Sequence, residues 1–274
     1  MKIFSLFTLL ALCSIAISAC HPTSSQKSPE EGISGNTLTL GPVTVTAIQD
    51  NAKPRVMPRT LFPDASDSLF TALNLSEGVP ASISVFWAQT DTCSILFDTG
   101  NGLPDSQLLP CLKAHGVTPE EVEYIYLTHF HGDHIGGLMR GDTVVFPNAQ
   151  IYAAKEEYAA WQQMAGENDL VVKTMNAYQD RLHLFAFNDT LPGGVIAMKA
   201  TGHTPGHTVY RMGDFLIVGD IMHGVDLQLH HPEICATYDM DKDAAINARR
   251  YYIDYARTHH LTMAGMHFPV PGFK

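Results

Sequence analysis

The sequence predicts an α/β (α+β) protein, one domain in which two β-sheets are sandwiched by helices. Three observations predict it. From about residue 37 onward, short apolar runs of strand type alternate with segments of helical period. Residues that can hold a metal recur in the first positions after those strands. The chain has 274 residues, 45% hydrophobic and 16% charged, enough for one large buried core. Strands mixed with helices bury their apolar faces most simply as stacked layers.

Residues 38–49 carry two β-like runs split by Gly41-Pro42. Residues 51–80, rich in Pro and small polar residues, predict a loop-rich insertion with one helix near 66–74. Residues 81–88 and 92–97 predict a hairpin whose second strand ends in Asp98-Thr99-Gly100. Residues 107–115 predict a helix stopped by Gly116, and Thr118-Pro119-Glu120-Glu121 reads as a capping box. A buried strand over 122–127 follows, then short strands at 144–146 and 150–153 and a helix over 155–164. Strands at 195–200, 215–218 and 261–264 and a long amphipathic helix over 241–258 complete the set.

The N-terminus predicts a targeting segment over residues 1–19. Lys2 gives a positive start, and Ile3 to Ile17 form an apolar run shorter than the ~20 residues of a comfortable membrane span. Ile17-Ser18-Ala19-Cys20 resembles a bacterial lipobox, which implies cleavage before Cys20 and a lipid anchor on its thiol. Plain secretion and an uncleaved anchor are the alternatives. Residues 20–36 read as a polar, flexible tether, and 37–274 as the folded domain. The expected location is the bacterial cell envelope, at a periplasmic or outer-membrane face. The odd set Cys93, Cys111 and Cys235 gives no disulfide framework, leaving one bridge or buried free thiols. A net charge of −11 argues against nucleic acid as the main partner. Exposed apolar residues within 51–80 make a homodimer an expectation.

Residues 128–137, Thr-His-Phe-His-Gly-Asp-His-Ile-Gly-Gly, bear the chemistry. His129, His131, Asp133 and His134 follow a strand into a tight turn that projects imidazoles and a carboxylate into one volume. Neutral imidazole and carboxylate are the usual ligands of zinc and related divalent ions. His203, Asp220 and His267 repeat the design, each following a strand.

The run at 129–134, Gly-His-Thr-Pro-Gly-His at 202–207, Val-Gly-Asp at 218–220 and Gly-Met-His-Phe-Pro at 265–269 together resemble the metallo-β-lactamase-fold hydrolase superfamily. The resemblance spans about residues 37–272 and implies a four-layer αββα sandwich. It places His129, His131 and His203 around one metal ion and Asp133, His134 and His267 around a second, with Asp220 bridging. The implied cofactor is thus two divalent ions, zinc first. The implied reaction is attack by a metal-bridging hydroxide on a lactone or ester carbonyl or on a phosphotriester, with small-molecule substrates. Family members built for di-iron redox chemistry typically carry glutamate where His131 stands. True β-lactamases often lack an aspartate where Asp220 stands. Residues 97–102, 219–223 and 267–272 are similar to the branch holding methyl parathion hydrolase and quorum-quenching lactonases. A β-lactamase, and a metal-binding envelope lipoprotein without turnover, are the alternative readings. The short stretch between His267 and Lys274 leaves the support of His267 open.

Further residues fit around that frame. Asp98 is expected to orient a ligand imidazole, and His207 to be a buried structural histidine. The candidate catalytic residues are the bridging Asp220 and, as alternatives to help metal-bound solvent manage the leaving-group proton, Asp133 or His223. Phe130, Trp161, Met222 and Phe268 are candidate walls of an apolar substrate pocket.

Overall fold

The computed structural model describes residues 36–164, 166 and 169–274. The expected leader, Cys20 and all of the tether before Asn36 lie outside the described residues.

Strand β1 (Asn36–Leu40) turns at Gly41 into β2 (Val43–Gln49), the antiparallel pair expected there. The 51–80 region holds β3 (Arg55–Met57), α1 (Asp67–Ala72) and β4 (Val79–Ala81). Its apolar residues Met57, Leu61, Phe62, Phe70, Leu75 and Val79 pack with Leu227, Ile234 and Ala236. They are therefore core, not the exposed surface on which a dimer was expected, although Val56 does stay exposed. The expected hairpin is β5 (Ser84–Gln89) with β6 (Ser94–Phe97). Helix α2 (Leu108–Ala114) follows, and Thr118 closes a single 3-10 turn over Pro119–Glu121 by donating its N–H to Glu121. Then come β7 (Tyr124–Tyr126), α3 (Gly132–Ile135), the short pair β8 (Met139–Arg140) and β9 (Thr143–Val144), β10 (Gln150–Ala154) and α4 (Lys155–Met164). The rest of the chain forms α5 (Leu170–Ala177), β11 (Leu182–Phe185), β12 (Thr190–Leu191), β13 (Val195–Lys199), β14 (Thr208–Met212), β15 (Phe215–Gly219), α6 (Val225–Gln228), α7 (Lys242–His259) and β16 (Thr262–Gly265).

The first sheet has seven strands in the order β1-β2-β5-β6-β7-β10-β11, and the second has five, β12-β13-β14-β15-β16. Side-chain alternation stacks them. Phe86 and Ala88 of β5, Ile95 and Phe97 of β6, and Phe215 and Ile217 of β15 meet in one cluster between the sheets. The alternate residues Val85, Trp87 and Leu96 face outward onto α2 and α5 through Leu108, Leu112, Val171 and Met175. Leu216 and Val218 face outward onto Tyr252, Ile253 and Ala256 of α7. Helix, sheet, sheet and helix thus form the expected four layers. Because both faces of these strands are buried, their sequences read as near-continuous apolar runs.

Cys93, Cys111 and Cys235 are all buried and no disulfide joins any two of them, so the bridge left open by the sequence is not formed among them. Residues beyond His267 return to the sheet. Met263 and Lys274 exchange backbone hydrogen bonds of 2.9 Å, and Gly265 donates to the Gly272 carbonyl. The strand that carries His267 is therefore held from both sides. No helix among the described residues is long and apolar enough to cross a membrane.

Candidate metal centre

The site forms at one edge of the sandwich, where β6, β7, β13, β15 and β16 all end. Strands β6 and β7 run parallel, as do β15 and β16, and two antiparallel steps make β13 parallel to β15. Their loops therefore leave the sheets on the same side. Rigid strand ends fix each loop's first residues, and there the polar side chains gather.

His129, His131 and His203 converge. Nε2 of His129 lies 2.9 Å from Nδ1 of His131, and Nε2 of His203 lies 2.9 Å from Nδ1 of His131 and 3.2 Å from Nε2 of His129. Beside this trio, Asp133, His134 and His267 form another group, with Nε2 of His267 3.7 Å from Asp133 and Nε2 of His134 3.8 Å from it. Asp220 stands between the two groups. Its Oδ2 is 3.5 Å from His203 and 3.0 Å from His267, and its Oδ1 is 3.3 Å from His134.

The far side of each ring fixes which nitrogen points inward. His134 donates Nδ1–H to Asp98 Oδ2 at 2.7 Å, and His267 donates Nδ1–H to the Ser82 carbonyl at 2.8 Å. His203 donates Nδ1–H to Asp239 Oδ1 at 3.1 Å. The Thr128 hydroxyl donates to Asp98, so its oxygen accepts from Nδ1 of His129. Each of these four rings thereby keeps a bare Nε2 for the centre, the arrangement by which outer carboxylates and carbonyls set ligand tautomers, whereas His131 presents Nδ1.

A bare nitrogen facing other bare nitrogens has no proton to share. Nε2 of His134 and Oδ1 of Asp220 have no hydrogen-bond partner among the described residues. Buried acceptors that converge without a donor fit a cation, and imidazole with carboxylate is the donor set of zinc and its neighbours. Electrostatics agree. Burial pushes the Asp220 carboxyl up, but His134 and His267 outweigh it and hold it well below the usual range. Burial opposes charge on His134, yet Asp220, Asp98 and Asp133 draw its pKa well above the ordinary value. The carboxylates that favour a proton there would equally favour a metal ion. Burial and the neighbouring His203 lower His131 to about 4, which keeps it neutral and able to ligate.

The supporting residues are spread along the chain. Asp98 takes the left-handed backbone at φ 62° and accepts from the Thr128 N–H, the Thr128 hydroxyl and His134. His207 is buried, with burial lowering its pKa to about 3, and its Nε2 accepts the Asp220 N–H at 2.9 Å. It is the structural histidine expected, and it orients the backbone of Asp220. Gly219 just before has φ 53°, and a Cβ there would fall 2.5 Å from His207 Nε2, so the approach requires glycine. Sequence reasoning missed three supports. Asp239, bound to His203, is itself held by the buried Arg249 at 3.0 Å. Ser82 supplies a carbonyl. Glu157 of α4 accepts from Phe130 N–H, the Thr204 hydroxyl, Gly206 N–H and Trp161 Nε1, tying the loops of His129 and His203 together. None of the three sits in a motif, since their partners lie far away in the sequence.

A cavity of about 480 Å³ opens over the centre, lined by Arg55, Met57, Asn101, His131, Gly132, Asp133, Leu170, Asp220, His223, Tyr238 and His267. His223 faces it as expected, with Nε2 3.4 Å from Asp220 Oδ2 and Nδ1 without a partner among the described residues. The expected apolar wall is different. Phe130 belongs to the helix-facing cluster of the first sheet, and Met222 and Phe268 to that of the second, all fully buried. Trp161 packs edge-on against His131, ring centroids 5.8 Å apart, but gives its N–H to Glu157. The apolar lining of the cavity comes instead from Met57, Leu170 and Tyr238.

Known proteins share this architecture. A hydrolase of the beta-lactamase superfamily, AbOPH, superposes with a TM-score of 0.78 at 26% identity, covering 89% of this chain and 93% of that one. AidC, a dizinc quorum-quenching lactonase solved with N-hexanoyl-L-homoserine, superposes with a TM-score of 0.78 at 24% identity, covering 88% and 92%, which shows the common fold. The hydroxyacylglutathione hydrolase of Aliivibrio salmonicida is 28% identical over 135 residues, 48% of this chain and 43% of that protein. The chain thus spans under half the length of the curated relatives it matches first. The family model of the metallo-beta-lactamase superfamily matches residues 78–254, which take in the metal turn, His203 and Asp220. With the four-layer fold and the clustered histidines and aspartates, the chain belongs to the metallo-beta-lactamase superfamily.

Proposed function

We propose that this protein is a binuclear metal-dependent hydrolase of small-molecule lactones, esters or phosphotriesters. The observation that carries the reading is the pair of donor groups, His129-His131-His203 and Asp133-His134-His267, with Asp220 facing both. Zinc is the ion this donor set suits. When bound, two such ions would lower the pKa of water towards neutrality and polarise the attacked oxygen.

The chain's own residues do the rest. Asp220 is held ionised by His134 and His267 and its backbone N–H is fixed by His207, with Oδ2 facing His203 and His267 and Oδ1 facing His134. His223 is buried and neutral, its pKa lowered to about 4 by burial despite Asp220. It stands on the cavity wall, where an imidazole can take or return the proton of a leaving group. Asp133, on the same wall, is the second candidate for that role. The cavity's volume suits a ligand of drug-like size. The names of the structural neighbours, a quorum-quenching lactonase and a hydrolase, support hydrolysis, with a lactone as one substrate type.

Zinc-loaded protein turning over panels of lactones, aryl esters and phosphotriesters, with Asp220→Ala inactive, is the expected result. Loaded protein inert on all three panels would refute the reading. A chromogenic cephalosporin tests the β-lactamase alternative, and turnover of it alone would favour that reading. For location, we infer an envelope lipoprotein anchored at Cys20. Labelled fatty acid should enter the wild-type chain in a bacterial host but not Cys20→Ala, and equal labelling would sink the inference.

A further inference from the structure

Resting on the hydrolase reading, we propose that Arg55 selects substrates bearing a carboxylate away from the bond that breaks. Strand β3 alternates. Val56 points to solvent at 53% exposure, while Arg55 and Met57 turn to the cavity that holds Asp220 and His267. The register places Arg55 opposite Ala81, one residue before Ser82, whose carbonyl anchors His267. Arg55 therefore lies on the His267 side of the cavity.

Arg55 makes no ion pair or side-chain hydrogen bond among the described residues. The carboxylates that share its cavity, Asp133 and Asp220, face the histidine groups instead. A half-buried guanidinium without a partner keeps its planar fork of donors for a ligand, and that fork matches a carboxylate two-pronged. The neighbouring wall of Met57, Leu170 and Tyr238 is apolar, with the Tyr238 and His223 ring centroids 5.6 Å apart. A short hydrocarbon chain lying on that wall would join the reacting carbonyl to the carboxylate at Arg55. The substrate class is thus an acidic ester or lactone, not a neutral one. Hydrolysis adds water across the acyl–oxygen bond, and the product acid of such an ester carries two carboxylates.

The test uses the zinc-loaded full chain with two esters of equal acyl length, p-nitrophenyl pentanoate and p-nitrophenyl hydrogen glutarate. The expected result is a preference of about tenfold or more in kcat/KM for the glutarate, lying mainly in KM, as a charge-assisted hydrogen bond gives. Arg55→Met should bring the ratio to about one, Arg55→Lys should keep part of it, and the exposed Arg250→Met should keep all of it. A wild-type ratio of one or less, or a ratio unchanged in Arg55→Met, overturns the proposal and leaves the hydrolase reading standing. No turnover of either ester, or of any lactone or phosphotriester, overturns both.

Discussion

Glu157→Ala should damage the metal centre without touching any candidate ligand. The carboxylate is 1% exposed and accepts Phe130 N–H at 2.9 Å, Trp161 Nε1–H at 2.7 Å, the Thr204 hydroxyl at 2.7 Å and Gly206 N–H at 2.8 Å. Burial raises its pKa, and all four of these bonds work against that rise, so they favour the ionised form. Truncation leaves those donors facing a void. The Thr204 hydroxyl can rotate and the half-buried indole can reach water, but the two backbone N–H groups cannot. At about 1–3 kcal/mol for each stranded buried donor, the two backbone groups alone cost about 2–6 kcal/mol. For a domain of this size each kcal/mol lowers Tm by about 2–4 °C, so the fall should be at least ~4 °C. The loops released are those of His129 and His203, so zinc affinity should weaken as well. Glu157→Gln keeps the volume but offers an amide N–H₂ to one pair of donors, and should fall between. Thermal unfolding of loaded protein and chelator competition for zinc measure both effects. An alanine variant that unfolds within about a degree of wild type and holds zinc as tightly would refute this account of Glu157.

Asp98→Asn turns an amide N–H₂ towards the Thr128 or His134 donors, and should weaken binding of one ion by about 10–100-fold, read by chelator competition. Arg249→Met leaves the buried Asp239 carboxylate without its cationic partner and the Ile221 and Pro232 carbonyls without their donor, so urea unfolding should show a loss of about 3–5 kcal/mol. Removing metal with a chelator should lower Tm and re-addition of zinc should restore it, since an ion present at ~1,000 Kd stabilises the folded state by about 4 kcal/mol.

Much of this was readable in the sequence because the chemistry is local there. The turn at 128–137 carries its ligands within a few residues of a strand, and Asp220 and His267 follow apolar runs that the structure shows as β15 and β16. Helix α4 has the bounds its pattern predicts, and α7 differs from expectation by a residue at either end. What stayed hidden depends on contacts between distant residues. Strand β14 is buried on both faces and carries a polar Arg211 at its edge, so its run shows no clean alternation. Helix α5 begins Leu-Val-Val, a β-branched opening that favours strand by propensity, and packing of Val171 and Met175 decides it. Glu157 reaches Thr204, 47 residues on, and Asp239 reaches His203 across 36. Aromatic and Met content marked Phe130, Met222 and Phe268 for the pocket, but composition cannot tell a cavity wall from a core. All three follow strands as loop residues, and packing buries them in the clusters between sheet and helices.

The central claim is that one chain holds two metal ions joined by Asp220. Elemental analysis of protein stripped of metal, reloaded with zinc and freed of excess measures it directly. The account predicts two zinc ions per chain for the wild type and fewer than two for Asp220→Ala. A wild type that retains one ion or none, or an Asp220→Ala chain that retains two as tightly, would contradict it.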